Sequence, residues 1–482
     1  MSNSNIPLFH RLLKRSSSKK EPLCYAPFNN LLINQQGEFE ICCNNNSYIL
    51  GNYPDQSSRE IWFGKKREII TQEFLSQKIP NSCKDCIEKG VNVNSPDSKI
   101  NYSKKSKFPS FHDYPNQIEF LLDNTCNLNC VMCAPNISSS SAGSSSRSKK
   151  VLYDELFITQ LKPFLKHAKF FVFSGGEPFL IPIYSKIWKI ILETNPKASI
   201  YIQTNATILN EQVKREVEKN KMDIGVSIDS ITKETYEKIR KNASFEKTFE
   251  NLEYYIQHMR SLNKTLTLMT TPMTLNADEI PNIVEFCNQK EVRFSLSILE
   301  WPVHLAIWSL TSIELHQLVE SYKSFMFSSN KSNAVVQQNM KSFLYFTELV
   351  DQYQFQKEYF ENHQLEIEEK ILLESKIVAK NFSSNVENDI EAMTLSSDSK
   401  KVLLERSNRL IEHYFEVFSP KFSNPDFFYV FFIKTKTSVY LEHLVNFDDQ
   451  ALEAIINDWL QELNYLIKTK SYNRIIDFDS YE

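Results

Sequence analysis

Three closely spaced cysteines are the residues of this sequence best suited to metal chemistry. Cys126, Cys130 and Cys133 form a C-x3-C-x2-C run that begins four residues after an apolar stretch at 118–122, which is typical of a β-strand. Three thiolates hold three irons of a four-iron, four-sulfur cluster and leave the fourth iron open. A catalytic metal site needs such an open position, whereas structural zinc closes its shell with four ligands. A zinc knuckle is the alternative, but no histidine lies within 113–166.

A glycine pair follows the next apolar run. Gly175 and Gly176 follow Phe171–Phe173 after one intervening residue, Ser174, in a chain that has only 8 glycines among 482 residues. Because glycine has no Cβ atom, its backbone approaches a ligand closely and adopts positive φ. Pro178 then fixes the turn and starts the next helix. An ordinary strand-to-helix turn is the alternative interpretation of the pair.

Two later strand-like runs also end in polar residues. The run 200–206 contains Thr204 and Asn205 near its end, and the run 222–230 contains Ser227. Since sites in parallel α/β folds lie at the carboxyl ends of the strands, these side chains are candidates for one shared site. A buried core hydroxyl is the alternative for Ser227.

The cysteine run and the Gly-Gly-Glu-Pro run together resemble the signature of the radical S-adenosylmethionine (radical SAM) enzymes. The resemblance implies that Cys126, Cys130 and Cys133 bind a catalytic 4Fe-4S cluster whose free iron takes the methionine part of S-adenosylmethionine. Arg240, at the end of a helix, resembles a family residue that contacts the cofactor carboxylate, with a solvated helix face as the alternative. The full set of cofactor-binding residues that the resemblance implies is Gly175, Gly176, Glu177, Pro178, Thr204, Asn205, Ser227 and Arg240.

A second cysteine group precedes the first. Cys24 and Cys42 flank Gly37, and Cys83 and Cys86 form a C-x2-C pair. The spacing resembles the SPASM or twitch auxiliary-cluster domain, placed before the barrel instead of after it. This resemblance implies one closed auxiliary 4Fe-4S cluster on the four cysteines, with Gly37 in a hairpin turn that needs positive φ.

The spacing alone does not decide which metal this second group of cysteines binds. Four cysteines with one C-x2-C pair also suit structural zinc, and the adjacent Cys43 makes the choice of ligand uncertain. A disulfide framework is not expected, because the chain is long and its 9 cysteines are odd in number. Cys287 lies among helical apolar positions and is interpreted as a core residue.

The fold class follows from alternation of strand-like and helix-like segments. Strands are predicted to begin near 118, 169, 198, 222, 265 and 292, with helices over 152–166, 180–194, 209–220, 234–260 and 277–289. Such alternation predicts a parallel sheet with right-handed crossovers. Six units are too few for an eightfold barrel, and the resemblance implies the partial (β/α)6 radical SAM barrel.

Four segments are predicted along the chain. They are a disordered basic tail at 1–21, a twitch/SPASM-like auxiliary domain at 22–110, the partial barrel at 111–355, and an α+β extension of unknown role at 356–482. Within the mainly helical extension, 356–417 is predicted as helix, 426–444 as strands and 448–468 as an amphipathic helix.

Composition restricts the partners and the location. The formal net charge is −4 and the isoelectric point is about 6.2, so no general attraction to nucleic acid is expected. The N-terminal stretch lacks the apolar core of a signal peptide, and no apolar run approaches a membrane span. We therefore expect a cytoplasmic protein with no membrane partner.

The resemblance implies the chemistry of the family. The reduced cluster cleaves S-adenosylmethionine to a 5′-deoxyadenosyl radical, which removes a hydrogen atom from the substrate. A reductant such as a flavodoxin or ferredoxin would supply the electron. The expected substrate is a peptide or protein that undergoes oxidative modification or crosslinking. The alternatives are a radical SAM dehydrogenase or epimerase acting on a small molecule, and a non-catalytic zinc-binding interaction protein.

Overall fold

The computed structural model describes two compact units. The described residues are 24–42, 48–80, 83, 113–133, 151–328, 333–393, 395–422 and 437–471. The first unit comprises the described parts of 1–228, 232–269 and 291–293, and the second those of 229–231, 270–290 and 294–482. The predicted basic tail at 1–21 lies outside the described residues, as do Cys43 and Cys86.

One sheet of nine strands organises the described chain, and a two-stranded sheet accompanies it. The order of the large sheet is β11-β10-β8-β7-β6-β4-β1-β2-β3, and β5 pairs with β9. The strands are β1 (Asn30–Asn34), β2 (Glu38–Glu40), β3 (Ile49–Asn52), β4 (Gln117–Leu121), β5 (Asn129–Cys130), β6 (Phe170–Phe173), β7 (Ser199–Thr204), β8 (Asp223–Ser227), β9 (Arg240–Lys241), β10 (Thr267–Thr270) and β11 (Arg293–Leu296).

The six predicted barrel strands are confirmed, each within two residues of its expected start. They are β4, β6, β7, β8, β10 and β11, and they lie side by side in chain order. The pairs β4–β6, β6–β7, β7–β8 and β8–β10 are parallel. Sequential parallel strands with helices between them form the α/β architecture that the alternation predicted.

Helices connect these strands and form most of the described part of the second unit. The predicted helix 234–260 is divided by β9 and a turn into two helices. The helices are α1 (Ala26–Asn29), α2 (Ser58–Trp62), α3 (Lys65–Leu75), α4 (Glu155–His167), α5 (Pro182–Thr194), α6 (Glu211–Lys219), α7 (Lys233–Ile239), α8 (Phe245–Ser261), α9 (Ile280–Lys290), α10 (Ser312–Ser324), α11 (Ala334–Asn362), α12 (Gln364–Ala392), α13 (Ser397–Phe418), α14 (Thr437–Asn446) and α15 (Asp449–Lys468).

The sheet has one apolar face and one polar face. Phe120, Phe173 and Ile202 lie in register on neighbouring strands, and all three are fully buried. Phe173 contacts Tyr184 and Trp188 of α5, so α5 packs on this face. The residues that alternate with these on the strands point to the opposite face, which carries Glu119, Tyr201, Gln203, Asp223 and Ser227.

The N-terminal segment extends the same sheet. Strand β1 pairs in parallel with β4 over five residue pairs, from Asn30 with Gln117 to Asn34 with Leu121. Strand β2 returns antiparallel to β1 through a turn in which Gly37 has φ +85°. The hairpin predicted around Gly37 is therefore confirmed. The boundaries at 110 and 355 remain predictions.

The described part of the second unit is helical beyond β11, which confirms the predicted helices at 356–417 and 448–468. The predicted strands at 426–444 are wrong for 437–444, which belong to α14, and 426–436 lie outside the described residues. Tyr440, Leu441 and Leu444 are buried, and this spacing marks one face of a helix instead of the alternation of a strand. Among the described residues, no helix has the length and apolarity that a membrane crossing requires.

Candidate functional site

The cysteine loop leaves the carboxyl end of β4 and is held by backbone hydrogen bonds. Cys130 pairs with Arg240 in the small antiparallel sheet, and the Val131 amide donates to the Ile239 carbonyl at 2.9 Å. The Cys133 amide donates to the Cys130 carbonyl at 3.1 Å. Cys130 is buried, while the other two cysteines are half-buried and none forms a disulfide. The loop is therefore positioned by the chain itself.

The glycine turn lies directly against this loop. Gly175 has φ +111°, and the amide of Gly176 donates to the Asp123 carbonyl at 3.1 Å. A Cβ atom placed on Gly176 would lie 2.1 Å from the Thr125 carbonyl oxygen. The amide of Glu177 donates to the same oxygen at 2.8 Å. The absence of a Cβ atom at Gly176 is thus already required by the close approach of the cysteine-loop backbone. Contact between the glycines and a ligand stays a prediction.

Glu177 is fully buried and joins the glycine turn to the end of β7. Its carboxylate accepts from the Thr204 hydroxyl at 2.8 Å and from the Asn205 amide at 2.9 Å. Burial raises the pKa of Glu177 to about 7, against the lowering effect of the Asn205, Thr204 and Phe179 hydrogen bonds and of the Arg240 charge. The carboxyl is thus a structural acceptor inside the site, without exposure to solvent.

Thr204 and Asn205, both predicted to contact the cofactor, use their side chains within the chain. The Thr204 hydroxyl donates to Glu177 and accepts from the Ala206 amide at 3.0 Å. Asn205 Oδ1 accepts from the amide and the hydroxyl of Thr207 at 2.9 and 2.6 Å. Asn205 Nδ2 donates to Asn127 Oδ1 at 3.1 Å and reaches Cys126 Sγ at 3.8 Å.

Ser227 is oriented by two residues that the sequence analysis missed. The Tyr201 hydroxyl donates to Gln203 Oε1 at 2.7 Å, which leaves Gln203 Nε2 to donate to Ser227 Oγ at 2.8 Å. A Cβ on Gly225 would lie 1.9 Å from the Tyr201 hydroxyl, so glycine makes room for this chain of bonds. Because Ser227 accepts from Gln203, its own proton is directed to another acceptor.

A pattern in the sequence could have revealed these two residues. In Ile200-Tyr201-Ile202-Gln203 the polar residues occupy alternate positions of a strand. Burial of Ile200 and Ile202 therefore places Tyr201 and Gln203 on the opposite face, together with Ser227. Burial also raises the pKa of Tyr201, so its hydroxyl stays a proton donor.

Arg240 lies beside the cysteine loop instead of on a solvated helix face. It follows α7, is 6% exposed and pairs through its backbone with Cys130. Its charge helps to lower the pKa of Glu177, which places the guanidinium within electrostatic range of that carboxyl. The structure thus brings Arg240, Glu177, Asn205 and the cysteine loop together.

The N-terminal cysteines come from three separate segments. Cys24 is buried just before α1, and its sulfur accepts from the Ala26 amide at 3.4 Å. Cys42 is half-buried after β2, and the amide of the buried Cys83 donates to the Pro80 carbonyl at 2.9 Å. Within the described ranges, no three Cys, His, Asp or Glu side chains already converge as a metal site. The ligand assignments therefore stay predictions.

The donor chemistry of the cysteine loop fits an iron–sulfur cluster. The loop offers three thiols within eight residues, and thiolates are the ligands that such clusters use. The Leu128 amide is directed at Cys126 Sγ at 3.5 Å, and Asn205 Nδ2 approaches the same sulfur. Donors around a thiol stabilise its deprotonated form, which is the form that binds metal.

Two protein families match parts of the chain. Residues 122–287 match the radical SAM superfamily, and residues 24–87 match SPASM, an iron–sulfur cluster-binding domain. A cysteine-type anaerobic sulfatase-maturating enzyme of Clostridium perfringens is 25% identical over 177 residues, which are 35% of this chain and 47% of that protein. A GTP 3′,8-cyclase of Chlorobaculum tepidum is 30% identical over 124 residues, which are 25% of this chain and 37% of that protein. The chain thus spans less than half the length of these two curated relatives.

Solved structures also resemble part of the chain. One described as native anSMEcpe with bound AdoMet is 18% identical, with a TM-score of 0.35, over 44% of this chain and 62% of that chain. Streptococcus suis SuiB bound to precursor peptide SuiA is 16% identical, with a TM-score of 0.33, over 55% of this chain and 62% of that chain.

Proposed function

We infer that this chain, which carries a radical SAM domain and a SPASM iron–sulfur domain, is a radical SAM enzyme that modifies a peptide or protein. The observation that carries the proposal is the contact between the cysteine loop and the glycine turn. The amides of Gly176 and Glu177 hydrogen-bond the carbonyls of Asp123 and Thr125, so the two motifs form one structure at the carboxyl ends of β4 and β6. A structural zinc knuckle needs no such partner.

The cofactors implied by the two families are S-adenosylmethionine and 4Fe-4S clusters. Cys126, Cys130 and Cys133 would hold the catalytic cluster, and Cys24, Cys42, Cys83 and Cys86 the auxiliary cluster. When both are bound and the cluster is reduced, the catalytic cluster and S-adenosylmethionine together would supply a 5′-deoxyadenosyl radical that abstracts a hydrogen atom from the substrate.

The residues of the chain have separate roles around this chemistry. Ser227, held as an acceptor by Gln203, is positioned to donate its proton to a cofactor or substrate oxygen. Arg240 contributes a fixed positive charge next to the loop, which suits the cofactor carboxylate. Glu177 holds the ends of β6 and β7 together, so the polar groups of both strands keep their positions.

The substrate class is proposed from the relatives. The sulfatase-maturating enzyme is named for its action on a protein. Together with the SPASM domain, this supports a peptide or protein substrate. The GTP 3′,8-cyclase match supports the second candidate, a small-molecule reaction.

The catalytic assignment is tested with the triple variant Cys126→Ala, Cys130→Ala, Cys133→Ala. We expect no release of 5′-deoxyadenosine under strong reductant, and about four fewer iron atoms per chain than in the wild type. The measurements are chromatography of anaerobic reactions and iron analysis. Cys287→Ala is the matched control, because the Cys287 thiol is buried in α9, away from the cysteine loop in sequence. We expect this substitution to leave cleavage of S-adenosylmethionine unchanged. Release of 5′-deoxyadenosine by the triple variant would contradict the assignment.

The substrate class is tested separately with reconstituted wild-type protein. Small peptides encoded beside its gene, and GTP, are each incubated with reductant and S-adenosylmethionine. A peptide product that has lost two hydrogens, detected by mass spectrometry, supports oxidative peptide modification. Turnover of GTP alone would favour the small-molecule reaction.

A further inference from the structure

We propose that Asn205 is a positioning residue that donates a hydrogen bond to the cluster-binding Cys126 and does not bind the cofactor. This inference rests on the proposed function, because it assigns Cys126 to the catalytic cluster. It differs from the cofactor contact that the family resemblance implies for Asn205. Three structural observations carry it.

The first observation is that the orientation of the Asn205 amide is fixed. The backbone amide of Thr207 is always a donor, and it lies 2.9 Å from Asn205 Oδ1. Since this atom must be the acceptor, the other end of the side chain is the NH2 group. That group is directed at Cys126 Sγ and at Asn127 Oδ1.

The second observation is that the side chain has no donor left for a ligand. The two hydrogens of Asn205 Nδ2 are used by Asn127 at 3.1 Å and by Cys126 at 3.8 Å. Oδ1 accepts from both the amide and the hydroxyl of Thr207. Asn205 is only 7% exposed, so a bound cofactor would have to break a buried hydrogen bond to reach it.

The third observation is that Asn205 is held in place by the glycine turn. Its backbone amide donates to the buried Glu177 carboxylate at 2.9 Å. Glu177 itself is bonded through its own amide to Thr125, the residue before Cys126. The backbone of Asn205 is therefore fixed relative to Cys126, whose sulfur faces the side-chain amide of Asn205.

The chemical consequence concerns the reduction potential of the cluster. Reduction adds negative charge that is shared by the thiolate sulfurs, so a donor at one of them favours the reduced state. Removing that donor is expected to make the cluster harder to reduce. Asn205 thus makes electron entry easier without touching the cofactor.

The test compares two variants of the full-length reconstituted protein. Asn205→Leu removes the donor, while Asn205→Asp keeps the acceptor for Thr207 and places a carboxylate oxygen near Cys126. Redox titration followed by electron paramagnetic resonance measures the midpoint potential of the cluster whose signal responds to S-adenosylmethionine. Calorimetry measures the affinity for S-adenosylmethionine.

We expect the midpoint potential to fall in both variants, and further in Asn205→Asp. The expected shift corresponds to about a three- to tenfold smaller ratio of reduced to oxidised cluster at a fixed potential, tenfold being about 59 mV for one electron. Affinity for S-adenosylmethionine should change less than about twofold. Thr207→Val is the matched control, because the Thr207 amide still orients Asn205, and its potential should equal that of the wild type.

Two results overturn the proposal. One is an unchanged potential in both variants, and the other is a loss of cofactor affinity of about tenfold or more, which would make Asn205 a cofactor ligand. Asn205→Asp gives the second measurement if Asn205→Leu does not retain its cluster. The wild type distinguishes failure of this proposal from failure of the proposed function. If the proposed function is wrong, the wild-type protein will show no cluster whose signal responds to S-adenosylmethionine.

Discussion

The two cysteine regions of this chain differ in how their sulfurs are brought into place. Cys126, Cys130 and Cys133 lie in one loop of eight residues whose backbone hydrogen-bonds the glycine turn and β9. Cys24, Cys42 and Cys83 instead come from segments before α1, after β2 and beyond α3. A short loop is positioned locally, whereas ligands far apart in sequence require closure of long loops.

The difference suggests different dependence on the metal. A loop held by its own backbone keeps its geometry when the metal is removed. None of the free energy of metal binding is then needed to order the loop. A site assembled from distant segments gains part of its order from metal binding, which is then also folding energy. We therefore expect the cysteine loop to depend on its glycine turn, and the N-terminal site to depend on its ligands.

A buried carboxyl in each region shows a second contrast. Burial raises the pKa of both Glu177 and Glu40 to about 7. Around Glu177, hydrogen bonds and Arg240 oppose this shift, so the ionised form has partners. Around Glu40, the charges of Glu38 and Glu119 add to the shift, and only the Asn34 hydrogen bond opposes it.

The largest effect is expected for Gly176→Val, which tests dependence on the glycine turn. A Cβ there would lie 2.1 Å from the Thr125 carbonyl, which belongs to the backbone and cannot move without displacing the cysteine loop. We expect destabilisation by more than about 3 kcal/mol and loss of the catalytic cluster. Thermal unfolding and iron analysis measure both.

The control for this variant is Gly51→Ala on β3. Its Cβ would lie 2.4 Å from Gln56 Oε1 and 2.9 Å from Ile61 Cγ1, so only side-chain atoms have to shift and no backbone atom of the cysteine loop is displaced. We expect iron content close to that of the wild type. A Gly176→Val protein that folds with both clusters would show that the glycine turn does not position the cysteine loop.

A smaller effect is expected for the double variant Cys83→Ala, Cys86→Ala, which tests the N-terminal region. We expect loss of about four iron atoms per chain, with uncoupled cleavage of S-adenosylmethionine retained and turnover of the true substrate lost. Iron analysis and product chromatography provide the measurements. Zinc instead of iron at this site, found by elemental analysis of the wild type, would refute the auxiliary-cluster assignment.

The smallest effect is expected for Glu40→Gln. The raised pKa means that protonated Glu40 is favoured in the folded state, so its contribution to stability is full below about pH 4.5 and is lost as the pH rises to about 7. Glutamine at position 40 does not ionise, so the variant avoids the loss of stability at high pH and the repulsion from Glu38 and Glu119. Its Oε1 can still accept the hydrogen bond from Asn34.

We therefore expect Glu40→Gln to be more stable than the wild type by about 1 kcal/mol at pH 8, and nearly equal to it at pH 4.5. Urea unfolding at several pH values measures the difference. Glu68→Gln on α3 is the control, because its side chain is 42% exposed. A difference that is independent of pH would show that Glu40 does not titrate in this range.

Much of the fold was predictable because the sequence pattern is regular. Strands such as β6 and β7 carry apolar residues that the neighbouring helices bury, and each motif occurs where a strand ends. The hairpin at Gly37 was predictable because a turn with positive φ favours glycine. The cysteine loop was predictable because ligand type and spacing are explicit in the sequence.

Other features depend on partners that are remote in sequence. The pairing of β1 with β4 joins segments more than 80 residues apart, and no local pattern specifies it. The roles of Thr204 and Asn205 depend on Glu177, which belongs to another strand end. The residues 437–444 look like a strand locally but pack as the helix α14, because tertiary contacts outweigh local propensity.

The pairing of β1 with β4 also determines how the protein can be shortened. Strand β4 is covered by β6 on one side and by β1 on the other. A fragment that begins at residue 113 would leave the backbone groups of Gln117–Leu121 open along one edge. Such open edges recruit strands from other molecules, so the excised barrel is expected to aggregate during expression. The N-terminal segment therefore also protects the sheet that carries the cysteine loop from self-association.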